Sequence, residues 1–530
     1  MFCEKKTGLY FPFFYDSLVV PLEDFMSIPI QSFEKMEINF CDRSESPPPI
    51  TGRKRKLGGR PVSHEPPEKR QRITDRLIRA SRKEFYRDSK NVLLRNFLVN
   101  GGLVQAATDS EELSKAKYVF SNVIAGDVAI KDQKGSERCW LFAGLNVLRR
   151  FVAQKHGIED FQFSETYIVF WYLLEKANFF LHKVIEKREE PLESEYMRFL
   201  LSDYFDDGGN WQMFANIIRK YGAVPKSAMP EKVKSGKSSK LIGILQKYLK
   251  GFAHELRQAK GMSEMELSKR KEEMVKRIYT ILHTFLGEPP ERFDWEGASE
   301  DREEKSSLNL HMKKITPCAF LDALLPDFKI DDQVVLSNFP VNTKPYYERY
   351  YVKEERNVVE AAPITWINLP ISELKKYALK SIREGSPVWF NSDVGKGVNN
   401  YLGVLTTKIF DYDPLFGPGH YLDKSERLSY LGTAADHAMI FTGVNIVSNN
   451  ISDRWEVENS WGEDSGNNGY LTMTDEWFSE NVFEIVIDKS LLSRSISSLV
   501  GKRAISVEPW DNIASGLTST CTSCCSHNSK

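Results

Sequence analysis

Apolar residues recur at helical spacing behind the cysteine of the segment DQKGSERCWLFAGLNVLRR, residues 132–150. This spacing predicts a helix with one face packed on a core. Ser136 is a residue type that caps helix starts, so the helix should begin just before Cys139 and hold it in its first turn. The apolar positions that carry this prediction are Leu141, Leu145, Leu148 and Val152.

Two later segments alternate apolar and polar residues, as β-strands do. They are DHAMIFTGV, residues 436–444, and RWEVENSWG, residues 454–462. The connector SNNISD is rich in turn-forming residues, so the two strands should form an antiparallel hairpin. The midpoint of positions 437 and 459 falls in this connector, which predicts that His437 and Asn459 are near cross-strand neighbours.

Composition and periodicity divide the chain into five segments. Pro, Gly, Ser and charged residues dominate 42–72, which predicts a disordered arm, and two later apolar stripes at helical spacing predict a helical insertion. The segments are a basic N-terminal arm (1–72), a part that carries the Cys139 helix (73–231), the helical insertion (232–310), a β-rich part that carries His437 and Asn459 (311–488), and a C-terminal arm with a low-complexity tail (489–530).

The composition of the whole chain limits the kind of protein that it can be. The 530 residues have a formal net charge of −1, so any attraction to nucleic acid must be local. Seven cysteines in so long a chain do not make a disulfide framework, and they indicate a reducing compartment. No apolar run is long enough to cross a membrane and no secretory signal pattern is present, so we expect a cytoplasmic location. The residues expected to be thiols are Cys3, Cys41, Cys139 and Cys318.

Cys139 has two interpretations. At a helix start, the helix dipole and the backbone N–H groups lower the pKa of a thiol, and they can also stabilise an oxyanion. Gln133, in the polar loop before the helix, can add an amide donor. The alternative is that Cys139 is a small buried apolar residue. The predicted His437–Asn459 pair favours catalysis, because a thiol, an imidazole and an amide that holds the imidazole form a nucleophile, base and orienter set.

These residues resemble those of papain-like cysteine peptidases, and longer stretches are similar to the bleomycin hydrolase branch of that superfamily. The similar stretches are DGGNWQMFANIIRKYGAVPKSAMPE, GSPVWFNSDVGK, DHAMIFTGV and VENSWGEDSGNNGYLTMTDEWFSENVFEIVIDK. The resemblance covers roughly residues 73–517, with its motifs in family order. It implies an α+β, papain-like fold with a helical insertion, and a homohexameric barrel with the active sites facing an internal channel.

The resemblance also implies roles for individual residues. Cys139 would be the nucleophile, His437 the general base and then acid, Asn459 the residue that orients His437, and Gln133 the oxyanion-hole donor. The substrate-binding residues would be Gly208, Gly209, Trp140 and Trp461, with Trp461 also shielding the Asn–His hydrogen bond. No cofactor and no metal are implied.

The chain departs from the family pattern in three places. Glu137 stands where the family usually has Gly; a positive φ there would strain Glu, and its charge would raise the pKa of the thiol. Asp132 replaces an Asn beside Gln133. Thirteen residues follow the family-like ending VEPWDNIASGL, so the terminal carboxylate, which in the family meets the amino group of the substrate, is displaced.

Two further groups of residues lie outside the peptidase-like motifs: the basic residues of 53–72, and the cysteines and histidine of the tail. Residues 53–72 hold eight Lys or Arg against two Glu, in two clusters that resemble a bipartite nuclear import signal. A solvated linker and a weak, sequence-independent contact with nucleic acid remain alternatives. The residues of the two basic clusters in the N-terminal arm are Arg53, Lys54, Arg55, Lys56, Lys69, Arg70 and Arg72.

The tail carries Cys521, Cys524, Cys525 and His527, which lack a scaffold for a tetrahedral metal site, so we expect no metal there.

The sequence therefore predicts a cysteine aminopeptidase, resembling bleomycin hydrolase, that hydrolyses peptide and related amide bonds through a thiol acyl-enzyme. Peptides and further copies of the chain are the expected partners, without a membrane. Two alternatives stay open at this point. One is a nucleic-acid-binding regulatory protein on a peptidase scaffold, and the other is a thiolactone hydrolase or acyl transferase that uses the same thiol. The expected location is the cytoplasm, with the nucleus as an alternative.

Overall fold

The computed structural model describes residues 73–126, 128–202, 204–231, 238–300, 307–448, 450–511 and 513–514. Of these residues, 73–80 belong to one unit, and those from 81 to 514 belong to a second, compact unit. The helices are α1 (Asp75–Arg87), α2 (Ser89–Gly101), α3 (Leu103–Ala107), α4 (Ser110–Ser114), α5 (Cys139–His156), α6 (Glu165–Glu186), α7 (Glu195–Ser202), α8 (Trp211–Tyr221), α9 (Ser238–Gln258), α10 (Glu264–Leu286), α11 (Pro317–Leu324), α12 (Ile371–Arg383), α13 (Asp413–Phe416), α14 (Lys424–Ser429), α15 (Asp475–Asn481) and α16 (Arg494–Val500).

The strands of the described ranges form one large sheet and one separate hairpin. The large sheet has the order β14-β5-β6-β4-β13-β7-β10-β11-β12-β9-β8, with β1 also paired to β10, and β2 and β3 form the hairpin. The strands are β1 (Asn122–Val123), β2 (Phe293–Glu300), β3 (Ser307–Ile315), β4 (Gln333–Ser337), β5 (Glu348–Val352), β6 (Thr365–Asn368), β7 (Val388–Ser392), β8 (Val398–Asn399), β9 (Val404–Leu405), β10 (His437–Ser448), β11 (Ile451–Glu458), β12 (Tyr470–Thr474), β13 (Val482–Asp488) and β14 (Ile505–Val507).

The centre of the large sheet is covered on both faces. Along β10, Ala438 and Ile440 pack in one apolar cluster, while Met439 and Phe441 pack in the other. Successive side chains of a strand point to opposite faces, so this alternation shows that β10 lies between two cores. The first cluster contains α5, α6 and α8, and the second contains α12 and α15.

The predicted hairpin is confirmed: β10 and β11 pair in antiparallel fashion on either side of the connector. The helix predicted behind the cysteine is also confirmed, since α5 begins at Cys139. It is buried around most of its circumference rather than on one face, because it lies between the sheet and α8. Gly144 makes this packing possible, since a Cβ there would lie 2.8 Å from the ring of Phe214 on α8.

The predicted cap of this helix is wrong. Ser136 donates its hydroxyl to the carbonyl of Gln133 at 2.7 Å, and Arg138 is the capping residue, without a side-chain cap hydrogen bond. The reason is the turn at 133–136, which draws the serine hydroxyl back toward the loop. No side-chain cap therefore occupies the backbone N–H groups at the start of α5.

The segment predicted as a helical insertion contains two helices, α9 and α10, and then a hairpin. Leu245, Leu249 and Leu256 of the first predicted stripe are fully buried, whereas Tyr248 is exposed. Strands β2 and β3 follow α10 at 293–315, so the whole of β2 and the first residues of β3 (307–310) lie in the segment that the sequence interpretation assigned to helix. Phe293 and Trp295 in β2, and Leu308, Leu310 and Met312 in β3, alternate with polar residues, so a strand signal was present in the sequence and was missed.

Three sequence predictions lie outside the described residues. They are the disorder of the arm 1–72 with its basic clusters, the properties of the tail beyond Ala514, and the thiol state of Cys3 and Cys41. Cys139 and Cys318 are not in disulfides. In the described ranges, no helix is long and apolar enough to cross a membrane.

Candidate active site

Two hydrogen bonds between Gln133 and Ser460 join the loop before α5 to the end of β11, and a third lies within the loop. The backbone N–H of Gln133 donates to the carbonyl of Ser460 at 2.8 Å. The hydroxyl of Ser460 donates to Oε1 of Gln133 at 2.6 Å, and Nε2 of Gln133 donates to the carbonyl of Ser136 at 2.7 Å. Because an amide nitrogen carries two hydrogens, one N–H of the buried Gln133 side chain is left for a further acceptor. The orientation of this amide is therefore fixed.

His437 and Asn459 are hydrogen-bonded partners, as the hairpin predicts. Nε2 of His437 lies 2.8 Å from Oδ1 of Asn459, and both residues are buried. Nδ1 of His437 has no hydrogen-bond partner in the described structure, so this nitrogen is the one available to exchange a proton. Oδ1 of Asn459 also accepts from the N–H of Ser460 at 2.8 Å, which fixes the amide.

Trp461 covers the imidazole. Its ring stacks on His437 with the centroids 4.7 Å apart and 28° between the planes. Burial lowers the pKa of His437, while the Asn459 hydrogen bond and the charge of Asp436 act in the opposite direction. The backbone of Trp461 also pairs with Asp132, which brings the loop before α5 against the same ring.

Cys139 is buried at the first residue of α5. Trp140 anchors this helix start on both sides: its Nε1 donates to the carbonyl of Asp207 at 3.0 Å, and its carbonyl accepts from Nε1 of Trp389 on β7 at 3.1 Å. The β7 strand pairs directly with β10, with Ser392 opposite His437. The helix start is thus fixed to the strand that neighbours the histidine strand.

Gly208 and Gly209 lie against the same helix start. A Cβ on Gly209 would approach the Trp140 indole to 2.8 Å, so this loop passes the ring too closely for any side chain. The hydroxyl of Tyr172 donates to the carbonyl of Gly208, and the N–H of Gly208 donates to Asp206 at 2.9 Å. Hydrogen bonds at both the carbonyl and the N–H of Gly208 therefore hold this loop in place.

A buried ion-pair triad, which the sequence interpretation missed, ties α5 to the residue before Asn459. Glu458 accepts from Nη2 of Arg149 at 3.0 Å and from Nε of Arg150 at 2.6 Å. All three side chains are at most 3% exposed. A sequence signal existed, since two adjacent arginines in an otherwise apolar helix require a buried acidic partner. The identity of that partner required the fold.

The strain expected at Glu137 is absent, because its φ is not positive. Burial and the neighbouring Asp207 and Asp206 raise the pKa of Glu137 to about 7. At neutral pH this carboxyl is therefore only partly ionised, and its effect on the thiol is smaller than a full negative charge would give. The basic clusters of the arm and the cysteines of the tail lie outside the described residues.

The large sheet with α5 packed across it is a mixed α/β papain-like peptidase fold, the fold of a class of cysteine peptidases. The sequence model of the Peptidase C1-like family matches residues 72–514. The chain belongs to the Peptidase C1-like family.

Relatives at about one-third identity span nearly the whole matched region. The chain is 38% identical over 443 residues to an aminopeptidase C of Listeria monocytogenes, covering 83% of this chain and 98% of the relative. It is 34% identical over 433 residues to the bleomycin hydrolase of Homo sapiens, covering 80% and 94%. A crystal structure of PepW from a Lactobacillus superposes with a TM-score of 0.79 at 33% identity, covering 84% of this chain and 99% of that one.

Proposed function

We propose that the protein is a cysteine aminopeptidase that hydrolyses peptide and related amide bonds through a thiol acyl-enzyme. The observation that carries the proposal is the hydrogen-bonded chain that runs from Gln133 through Ser460 and Asn459 to His437, beside the helix that starts at Cys139. The names of the relatives, aminopeptidase C and bleomycin hydrolase, support the amino-end specificity and the amide substrate class.

In the proposed reaction, the thiolate of Cys139 attacks the carbonyl carbon of the scissile amide. The negative charge that develops on the carbonyl oxygen is stabilised by backbone N–H groups at the start of α5 and by the remaining N–H of Gln133. His437 holds the thiol proton on Nδ1 and gives it to the leaving amine, so the C–N bond breaks and a thioester forms.

The second half of the reaction uses the same groups. His437 takes a proton from a water molecule, which attacks the thioester carbonyl, and the C–S bond breaks to release the acid and restore Cys139. Asn459 holds the ring through Nε2 so that Nδ1 stays directed away from it. Trp461 stacks on the ring and limits the access of water to the Asn–His hydrogen bond.

Three variants test these roles. Cys139→Ala should abolish hydrolysis of aminoacyl-coumarin substrates and labelling by an epoxide thiol inhibitor, because the nucleophile is removed. Cys318→Ala is the matched control: this thiol is exposed, and its loss should change neither measurement. His437→Ala should be nearly as damaging as Cys139→Ala, while Asn459→Ala should keep partial activity, since Asn459 takes no proton.

Two results would contradict this division of roles. Labelling that persists in Cys139→Ala would place the reactive thiol elsewhere, and an equal loss for all three variants would remove the distinction between proton transfer and orientation. The homohexamer implied by the resemblance belongs to the same proposal, and analytical ultracentrifugation of the purified chain measures it. If the purified chain sedimented as a monomer with full activity, catalysis would not require the assembly.

A further inference from the structure

A cavity of about 610 Å³ lies beside the C-terminal half of α5. Its buried lining is apolar and includes Val147 of α5, Leu325 after α11 and Val486 of β13. Phe151 and Phe328 also line it, and their ring centroids are 5.4 Å apart. Cavities of roughly 300–1,000 Å³ hold small-molecule ligands, so this one can enclose an aromatic ring with a short side chain.

The mouth of the cavity is marked by its exposed lining residues Gln154, Glu384 and Ser490. Nε2 of Gln154 donates to the carbonyl of Gly385 at 2.7 Å, which joins α5 to the turn between α12 and β7. The N–H of Ser490 donates to Oδ1 of Asp488 at 2.9 Å. The mouth is therefore fixed by hydrogen bonds of the chain itself, which lowers the entropic cost of binding a ligand there.

The charged side chains that line the cavity are mostly acidic. They are one cation, Lys155, and three carboxylates, those of Asp327, Glu384 and Asp488. Lys155 pairs with Asp327. In the described ranges neither Glu384 nor Asp488 has an ion-pair partner, and Asp488 accepts from the neutral Nε2 of Gln333 at 3.0 Å. The lining therefore has two negative charges that no lining cation balances.

The cations next to the cavity are bound to other groups. Lys380 donates to a backbone carbonyl at 2.8 Å, and Arg383 donates to Oδ1 of Asn450 at 2.8 Å. Lys489 pairs with Asp332 at 2.6 Å. The two unbalanced carboxylates at the cavity are therefore left to attract a cation from solution.

The cavity is separate from the catalytic residues but borders two elements that hold them. Val147, the lining residue of α5 nearest to Cys139 in sequence, lies about 12 Å from it along the helix axis. Pro387 lines the cavity directly before β7, and the last residue of β7, Ser392, pairs with His437. A ligand in the cavity would thus lie beyond the reach of the thiol and the imidazole.

We propose that this cavity is a binding site for an arylalkylamine, a small molecule with an aromatic ring and a primary ammonium group. The ring packs against Phe151 and Phe328 over the apolar lining, where its burial is favourable. The ammonium group donates charge-assisted hydrogen bonds to the carboxylates of Glu384 and Asp488. A ligand with a carboxylate is disfavoured, because its charge would face two like charges.

Calorimetry with the full chain tests the charge selectivity, using three probes of similar shape: phenethylamine, 2-phenylethanol and phenylacetate. We expect phenethylamine to bind at one site per chain, 2-phenylethanol to bind at least tenfold more weakly, and phenylacetate not to bind. Equal affinities for the three probes, or no binding of the amine, would overturn the proposal. No binding is also the result expected if another copy of the chain covers the cavity.

Glu384→Gln removes one charge at the mouth and keeps the shape of the side chain. Because Glu384 is exposed at the end of α12, the variant should fold. It should weaken the binding of phenethylamine about tenfold and leave that of 2-phenylethanol unchanged. Glu373→Gln, in the first turn of the same helix and outside the cavity lining, is the matched control and should change neither. An equal effect of the two variants on the amine would overturn the role of the charge at the mouth.

A crystal structure with 4-bromophenethylamine locates the ligand through the anomalous scattering of bromine. Bromine beside Phe151 and Phe328 supports the proposal, and bromine beside Cys139 or elsewhere would overturn it. Neither calorimetry nor crystallography requires turnover. Binding in this cavity by a protein that cleaves no peptide would therefore leave the site intact and refute only the proposed function, whereas peptide cleavage without amine binding would do the reverse.

Discussion

Removal of one charge from the triad of Glu458, Arg149 and Arg150 should cost stability and catalysis together. The change is Glu458→Gln. It leaves two guanidinium groups, each at most 3% exposed, without a counter-charge, and the amide can accept from only one of them. Breaking a buried ion pair by removing one partner costs about 3–5 kcal/mol. We expect the free energy of unfolding to fall by about that amount.

The other hydrogen-bond partners of Arg149 and Arg150 should moderate the loss of stability in Glu458→Gln. Arg150 donates to the hydroxyl of Tyr470 at 2.8 Å and to the carbonyl of Gly126 at 3.2 Å, and Arg149 donates to the carbonyl of Ala129. These neutral acceptors hold the guanidinium groups in place but supply no negative charge. The variant should therefore still fold, with both arginines poorly compensated.

The functional effect follows from where the triad lies. Glu458 directly precedes Asn459, and Arg149 lies on the same helix as Cys139. A looser connection between α5 and β11 should lower kcat more than it raises KM, because the relative position of thiol and imidazole matters most in the transition state. Epoxide labelling of Cys139 should slow by a similar factor.

Urea unfolding followed by tryptophan fluorescence measures the stability, and hydrolysis of an aminoacyl-coumarin measures kcat. Glu255→Gln is the matched control: Glu255 pairs with Arg270 at 2.5 Å with both side chains 45% exposed, and such pairs contribute about 0–1 kcal/mol. A loss in Glu458→Gln no larger than in the control would refute the energetic reasoning. Lost stability with an unchanged kcat would refute the positioning role.

Three further changes have defined outcomes. Burial raises the pKa of Glu484 to about 8 from 4.5, so this group makes the free energy of unfolding fall as pH rises from about 4.5 to 8, by up to about 1.4 kcal/mol per pH unit. In Glu484→Gln that contribution should vanish, and urea unfolding at pH 5 and pH 8 compares the slopes. Gly209→Ala should force the Trp140 indole to move, cost about 1–3 kcal/mol in thermal unfolding and lower kcat/KM; an unchanged kcat/KM would show that the loop adapts. If Cys139 removes residues 518–530 to expose a carboxylate near Leu517, intact mass measurement should find the tail only in Cys139→Ala; its retention in active enzyme would refute the trimming.

The parts of the site that could be predicted from sequence are those set by local chain chemistry. The turn residues between β10 and β11 predicted the hairpin and thereby the proximity of His437 and Asn459. They did not predict the exact register, which has three irregularities and places Ile440 opposite Glu458. The helical spacing behind Cys139 placed the thiol at a helix start. Both predictions needed only residues close together in sequence, where secondary-structure period and turn type decide the geometry.

The parts that could not be predicted depend on contacts between distant segments. The side chain of Ser460 fixes the amide of Gln133, and Glu458 compensates two arginines on α5, across more than half of the chain. The cap at Ser136 failed for a local reason, because its hydroxyl had a closer acceptor in the turn. The β2–β3 hairpin was missed although its apolar residues alternate with polar ones, because the two helical stripes before it were taken to define the whole segment.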